Sequence, residues 1–148
     1  MTELCHTIEL RVYWEDTDAG GVVFYANYLK YLERARTEWL RACGVEQRAL
    51  QEAQDCLFVV ADVRLRYVAP ARLDDWLRVS AQPLEWGRAS LLLQQQVWRG
   101  ERLLLQGQVR VACVQASSLR PCRIPAAILE RLAPAPAAAQ AAPEGDPA

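Results

Sequence analysis

The chain has 148 residues, of which 52% are hydrophobic and 24% are charged. This length and composition fit one soluble domain with a continuous core and exclude a chain that is disordered throughout. The formal net charge is −1, and without a run of basic residues a nucleic-acid partner is disfavoured. No apolar run reaches the roughly 18–20 residues of a transmembrane helix.

The cysteine and histidine content limits the possible chemistry. Five cysteines are widely spaced without CxxC or Cys/His pairing, so we predict reduced, mostly buried thiols and no metal site. The N-terminal MTELCHTIELRVYW lacks the features of a signal peptide, which favours a cytoplasmic protein. His6 is the one histidine, and its position near the terminus disfavours a Ser-His-Asp or Cys-His hydrolase. Catalysis is therefore expected to use carboxylates and backbone dipoles.

The first half of the chain predicts a strand, a loop and a long helix. Residues 7–14 (TIELRVYW) are rich in β-formers and predict the strand. An Asp/Gly-rich loop follows, and from Tyr25 apolar residues recur at helical spacing. Gly44 supplies the left-handed residue that ends the helix. The expected apolar stripe consists of Tyr25, Tyr28, Leu29, Leu32, Ala35, Trp39, Leu40 and Cys43.

The second half predicts a sheet. After a short helix within 45–54, four apolar or alternating segments predict strands at 57–70, 75–87, 88–100 and 101–116. Val63, Leu65 and Tyr67 are expected on a dry face, and short connections make neighbouring strands antiparallel. A last helix is predicted at 125–133, and the Pro/Ala-rich residues 134–148 are expected to be a disordered tail. The prediction is one domain, 1–133, of α+β class, with the sheet wrapped over the long helix.

The stretch YWEDTDAGGVVFYANYLKYLERARTEWLR closely resembles the signature of the hotdog-fold thioesterases. Among these it is most similar to the YbgC-type acyl-CoA thioesterases associated with the bacterial Tol-Pal system, and RYVAPARLDD and GRASLLLQQQVWRGERLL extend the likeness. The resemblance implies a long central helix wrapped by a curved five- or six-stranded antiparallel sheet. It also implies a homodimer or a tetramer of dimers, with the active site between two protomers.

The resemblance assigns roles to two residues. Asp18 matches the catalytic carboxylate, and Tyr25 matches the residue whose backbone N–H binds the thioester carbonyl. Many YbgC-type members have histidine at the position of Tyr25, whereas 4-hydroxybenzoyl-CoA thioesterases have tyrosine. The first N–H groups of a helix are unpaired and lie at the positive end of its dipole, so they suit an oxyanion. Asp18 is expected to act as a base on water or as a nucleophile.

Other residues receive weaker assignments. Gly20 and Gly21 would permit a sharp bend and close approach of a ligand to the backbone, and with Val22 they are expected to contact the substrate. Arg88, like Arg64 and Arg66, is either a ligand of the coenzyme A phosphates or part of a solvated strand face. Ser90 is a candidate for the acyl pocket.

Several residues also have ordinary structural interpretations. Asp16 is interpreted as a turn residue. Glu33 is a second candidate carboxylate, but pairing with Arg36 or Thr37 is favoured for it. Tyr28, Trp39 and Trp14 are expected in the core or in an interface.

The leading hypothesis is hydrolysis of acyl-CoA, or of acyl carrier protein thioesters, to a free carboxylic acid and a thiol. No cofactor is expected, because coenzyme A is part of the substrate. The alternative is a non-catalytic module that binds acyl thioesters or acts as a scaffold. A hotdog dehydratase or hydratase is disfavoured because those enzymes rely on an active-site histidine. Acyl preference, the choice between coenzyme A and carrier protein, and a physical link to the Tol-Pal machinery are left open.

Overall fold

Five strands and one long helix dominate the computed structural model, which describes residues 5–133. The expectation for the tail at 134–148 therefore lies outside the described residues. Within them, no helix is long and apolar enough to span a membrane. The elements are β1 (His6–Arg11), α1 (Tyr28–Ala42), α2 (Gln47–Gln54), β2 (Cys56–Tyr67), β3 (Trp76–Trp86), β4 (Ser90–Arg99), β5 (Arg102–Gln115) and α3 (Ala126–Leu132), with 3-10 turns at Trp14–Asp16 and Tyr25–Asn27.

The strands form one sheet in the order β1-β3-β4-β5-β2, and every neighbouring pair is antiparallel. The predicted α+β class and the five-stranded sheet are confirmed. Strands β3, β4 and β5 are consecutive neighbours because their connections are short, as at the turn where Arg99 pairs with Arg102 and Gly100 adopts a φ of +58°. β1 and β2 are left at the two edges.

The long helix buries one face against the sheet, as its periodicity predicts. The predicted burial is wrong for two residues of the expected stripe, since Tyr25 is 65% exposed and Leu29 is 42% exposed. Tyr31, which was not assigned to the stripe, is only 1% exposed. Tyr25 leaves the stripe because Tyr25–Asn27 winds as a 3-10 turn, which changes the phase of its side chain relative to those of α1. The predicted glycine end is confirmed, since Gly44 has a φ of +82°. The buried residues of α1 are Tyr28, Tyr31, Leu32, Ala35, Trp39 and Leu40.

The first strand is shorter than predicted. It ends at Arg11, and the Tyr13 backbone N–H donates to Asp16 Oδ2 over 2.8 Å. This bond turns the chain into the 3-10 turn that starts at Trp14. Trp14 is 79% exposed, so of the two positions expected for it, the core or an interface, the core is excluded and the interface stays a prediction. Tyr28 and Trp39 are buried.

Strand β2 differs from the expected pattern of one wet and one dry face. Leu65 packs partly against the core, but Val63 and Tyr67 are exposed. β2 lies at the edge of the sheet, and within residues 5–133 no further strand pairs with its outer side. Its outer edge is therefore an exposed strand edge that carries apolar side chains.

A fully buried amide joins the helix to the sheet. Gln95 Nε2 donates to the carbonyls of Leu32 on α1 and Ser80 on β3, each over 3.0 Å. Gln95 Oε1 accepts from Arg36 over 3.0 Å. Because buried polar groups need partners, this contact fixes the middle of α1 over β3 and β4. Gln95 belongs to a run of three glutamines within an otherwise apolar strand, and this run was the available sequence signal for a buried polar contact.

Candidate active site

A small hairpin over residues 16–24 places the Asp/Gly motif directly before the long helix. The Phe24 N–H donates to the Asp16 carbonyl over 2.9 Å, Thr17 pairs with Val23, and the Asp18 N–H donates to the Val22 carbonyl over 2.9 Å. The Val23 N–H in turn donates to the Ala71 carbonyl over 2.8 Å. The hairpin is therefore attached to the segment between β2 and β3.

Asp18 lies at the tip of this hairpin and shapes the turn. Its carbonyl accepts from the Gly21 N–H over 3.0 Å, and its Oδ1 accepts from the Gly20 N–H over 2.8 Å. Gly21 has a φ of +81°, as in three-residue hairpins that end in a left-handed residue. The side-chain bond to Gly20 is an Asx turn. Asp18 Oδ2 has no hydrogen bond within residues 5–133, so one carboxylate oxygen orients the group while the other is exposed.

Tyr25 begins the turn that leads into α1. Among the described residues its backbone N–H has no acceptor, as is usual for the first N–H groups of a helical segment. The ring of Tyr25 packs against Phe24 and Tyr67, with centroids 4.9 and 6.5 Å away. This N–H therefore comes directly after the hairpin that carries Asp18.

Tyr67 is a site residue that sequence reasoning missed. Its hydroxyl donates to the Tyr25 carbonyl over 2.9 Å, and its ring packs edge-on against Tyr28 with centroids 5.5 Å apart. Tyr67 ends β2 and lies 42 positions from Tyr25. No local pattern reveals a contact at that separation, because it depends on where the edge strand ends.

Asp16 has a structural position, in agreement with its interpretation as a turn residue. Its carbonyl also accepts from Asn27 Nδ2 over 2.8 Å, and its side chain accepts from Tyr13 as described above. The buried Tyr31 hydroxyl has no hydrogen-bond partner among the described residues. Burial chiefly, and the neighbouring Asp16 carboxylate in addition, raise the pKa of Tyr31.

A cleft of about 180 Å³ lies between the second half of α1 and the sheet. Its floor is apolar and its rim is polar. Glu33 lies on the rim and accepts a 2.5 Å hydrogen bond from Thr37 Oγ1, which is one of the two pairings expected for it. The lining residues are Glu33, Arg36, Thr37, Trp39, Leu40, Gln47, Phe58, Val60, Leu91, Leu93 and Val111.

Arg88 and Ser90 lie at the other end of the sheet from Asp18. Ser90 pairs with Ala112, which pairs with Val59 near the start of β2, whereas Tyr67 ends β2. The step from Val59 to Tyr67 corresponds to roughly 26 Å of extended strand. One protomer therefore does not bring Ser90 and Asp18 together.

The Ser90 side chain points away from the cleft. Ser90 Oγ accepts from Arg110 over 3.1 Å, on the sheet face opposite to that of Leu91, which lines the cleft. The Arg88 side chain is exposed. Arg64 and Arg66 line a separate shallow groove with Gln94 and Gln106, on the face turned away from α1.

Three of the five cysteines converge, which their wide spacing in the sequence did not indicate. The Sγ atoms of Cys56, Cys113 and Cys122 all lie within 4.8 Å of one another. All five cysteines are free thiols. These three thiols are the residues that could hold a soft metal ion, and the expectation that the chain has no metal site stays a prediction.

Comparisons with known proteins agree with this fold. A sequence model described as the Thioesterase-like superfamily matches residues 12–132. The chain is 43% identical over 116 residues to the acyl-CoA thioesterase YbgC of Haemophilus influenzae, covering 78% of this chain and 85% of that protein. It is 42% identical over 121 residues to the acyl-CoA thioester hydrolase YbgC of Escherichia coli O6:H1, covering 81% and 90%. A probable thioesterase from Bartonella henselae has a TM-score of 0.78 at 31% identity, covering 82% of this chain and 99% of that one.

Proposed function

The chain belongs to the Thioesterase-like superfamily, and we propose that it hydrolyses acyl-CoA thioesters to a carboxylic acid and free coenzyme A. The observation that carries the proposal is the arrangement of Asp18 and Tyr25. One Asp18 oxygen is held by Gly20 and the other is exposed, on a hairpin that runs into the unpaired N–H of Tyr25. Curated relatives named as acyl-CoA thioesterases at 42–43% identity support it.

The reaction needs a nucleophile and a donor for the developing oxyanion. In one route Asp18 takes a proton from water as the oxygen of that water bonds to the thioester carbonyl carbon. In the other, Asp18 attacks that carbon directly and water then hydrolyses the anhydride. In both, the carbonyl oxygen gains negative charge that the Tyr25 N–H stabilises, and the C–S bond breaks to release the thiolate.

We propose that the complete site lies between two copies of the chain. If two β2 edges pair antiparallel, the start of one β2 lies beside the end of the other. The Arg88–Ser90 end of the second copy would then lie near Asp18 of the first, displaced by about three strand spacings, or roughly 14 Å. Coenzyme A is long enough to span this separation. The exposed apolar edge of β2 supports such pairing.

The same pairing would bring the cleft of the second copy toward Asp18, because Leu91 lines the cleft and adjoins Ser90. We propose that this cleft receives the acyl group. A dry cavity of about 150 Å³ is large enough for benzene, and the cleft here measures about 180 Å³. Short aliphatic or single-ring acyl groups are therefore expected to react better than long chains.

Other features that the resemblance implies remain predictions. These are an assembly of dimers into a tetramer, action on acyl carrier protein, a role in lipid metabolism, a cytoplasmic location and an association with the Tol-Pal system. Substrate contacts by Gly20, Gly21 and Val22, and a catalytic role for Glu33, belong to the same group.

The test is thiol release from short-chain, long-chain and aromatic acyl-CoAs by the wild type and by Asp18→Asn. Asparagine preserves the Asx turn but removes the charge, so folding should be unaffected and kcat should fall at least ~100-fold. Protein-only blanks correct for the five cysteines. Full activity of Asp18→Asn would refute the catalytic role. Tight acyl-CoA binding without thiol release by the wild type would instead favour the non-catalytic binding module.

A further inference from the structure

The thiols of Cys56, Cys113 and Cys122 form a cluster that the proposed reaction does not use. The cluster lies at the end of the sheet far from Asp18 of the same chain and adjoins the Arg88–Ser90 segment, since the Cys113 N–H donates to the Ala89 carbonyl over 2.7 Å. Cys122 Sγ is 3.6 Å from Cys113 Sγ and 3.9 Å from Cys56 Sγ. With metal–sulfur bonds of about 2.3 Å, neighbouring sulfurs are separated by roughly 3.8 Å in a tetrahedral site and by roughly 4.0 Å in a trigonal one. Two of the three sulfur separations therefore match those of ligands of one metal ion, and the third lies within 4.8 Å.

Three separate backbone segments hold these thiols in place. Cys56 begins β2, Cys113 lies in β5, and Cys122 lies in the segment that returns along β5. The Cys122 N–H donates to the Cys113 carbonyl over 3.0 Å, and Val114 pairs with Pro121. The ligand positions are thus fixed by strand pairing before any ion binds, which lowers the cost of forming a site.

The environment favours a soft ion. Cys56 and Cys113 are buried, and Cys122 is half-buried, so an ion could enter at Cys122. The neighbouring Asp55 carboxylate is occupied by the Ser117 N–H and hydroxyl, at 3.0 and 2.7 Å. Its oxygens are not among the ligand atoms that converge with the three sulfurs. In the part of the chain that the structure describes, no charged fourth ligand joins the three sulfurs. Such a set suits a d10 ion that accepts trigonal coordination, since thiolates select Cu(I) and zinc, and structural zinc takes four ligands.

We propose that Cys56, Cys113 and Cys122 form a three-sulfur binding site for a soft metal ion of the Cu(I) class. Thiol ligands lose their protons to solvent on binding, and the ion keeps its oxidation state. The bound ion would link β2, β5 and the returning segment. It would therefore stabilise this end of the sheet without contacting Asp18.

The test is an anaerobic titration of the reduced, metal-free protein with Cu(I) in the presence of the chelator bicinchoninate. Wild type and Cys43→Ser, which removes a half-buried thiol outside the cluster, should each remove one Cu(I) per chain from the chelator. Cys122→Ser should bind at least ~100-fold more weakly. Equal affinity in Cys122→Ser and wild type, or no Cu(I) uptake by wild type, would overturn the proposal. Uptake of Zn²⁺ but not Cu(I) by the same three thiols would overturn the choice of ion.

A second measurement avoids any effect of substitution on folding. In the wild type, iodoacetamide labelling followed by mass spectrometry reports the reactivity of Cys122 and of Cys43 separately. One equivalent of Cu(I) should slow labelling of Cys122 at least ~10-fold and leave Cys43 unchanged. Unchanged labelling of Cys122, or equal slowing of both thiols, would contradict a site at the cluster.

Discussion

The Tyr67 hydroxyl donates a 2.9 Å hydrogen bond to the Tyr25 carbonyl and so joins the end of the edge strand to the turn that begins α1. The same residue, Tyr25, also carries the backbone N–H that is the proposed oxyanion donor. Displacement of the turn would move the proposed oxyanion donor relative to Asp18. Tyr67 is therefore expected to be a positioning residue that acts through Tyr25.

Substitution Tyr67→Phe tests this role. It removes the hydrogen bond but keeps the ring packed against Tyr28. Since a typical hydrogen bond contributes about 0.5–1.5 kcal/mol, kcat for acyl-CoA hydrolysis should fall about 2- to 10-fold, with little change in KM. Steady-state kinetics of Tyr13→Phe, which alters an exposed tyrosine, provide the control. A rise in KM at constant kcat would show that Tyr67 binds substrate instead.

The buried Gln95 contact predicts a large effect on stability. In Gln95→Met the carbonyl of Ser80 and the guanidinium of Arg36 lose a partner inside the protein. The free energy of unfolding, measured with urea, should decrease by about 1–3 kcal/mol. Gln94→Met, on the outer face of the same strand, should change it by less than about 0.5 kcal/mol. Equal effects of the two substitutions would show that the buried contact contributes nothing.

Periodicity and spacing predicted most of the fold, because burial of one helix face and short connections between strands are local properties. The position of β2 at the edge of the sheet was not predictable, because β2 pairs with β5, the last strand in the sequence, and not with a strand that adjoins it along the chain. For this reason the side chains of Val63 and Tyr67, which were expected to be buried, are exposed in the structure. The phase error at Tyr25 arose from a 3-10 turn that leaves no mark in the sequence pattern.

Only those parts of the candidate site that lie close together in the sequence were predictable. Asp18, Gly20, Gly21 and Tyr25 lie within one motif, and the structure places them on one hairpin and the turn that follows it. Cys56 and Cys122 are 66 positions apart, and their contact follows from strand pairing. Similarly, the outward direction of Ser90 depends on the register of β4, which hydrophobicity alone did not fix.

Tyr31 predicts a loss of stability at alkaline pH. Its pKa is raised above the ordinary value of 10.0, mainly by burial, so an unfolded chain ionises first as the pH rises. The resulting stabilisation is complete below about pH 10 and decreases as the pH rises toward the folded pKa. Thermal unfolding from about pH 9 to 11 should therefore show a smaller decrease in Tm for Tyr31→Phe than for the wild type.

The same variant tests whether the Tyr31 hydroxyl is unsatisfied. At neutral pH, removal of a buried hydroxyl without a partner should leave Tm unchanged or higher. A clear decrease in Tm at neutral pH would indicate a stabilising hydrogen bond to Asp16. The change in Tm with pH therefore reports the burial of the Tyr31 hydroxyl, whereas the Tm at neutral pH reports whether that hydroxyl makes a stabilising hydrogen bond.

The cleft predicts how acyl preference can be changed. Val111 lines it, whereas Val109, on the same face of β5, does not, although both valines are buried. Val111→Ala should raise kcat/KM for longer acyl chains relative to shorter ones by about 10-fold, because each methylene that a pocket accommodates changes discrimination by this order. Val109→Ala controls for loss of packing. The same shift in both variants would contradict an acyl site in the cleft.

The most direct test of the shared active site combines two impaired variants, Asp18→Asn and Arg88→Glu. Arg88 is exposed, so its substitution should weaken coenzyme A binding without unfolding the protein. After the two proteins are denatured, mixed in equal amounts and refolded, half of the dimers should contain one intact site. Thiol release at low acyl-CoA concentration should then recover to about a quarter of the wild-type rate. Full activity of Arg88→Glu alone, or a mixture no more active than the average of its components, would contradict a site formed by two copies.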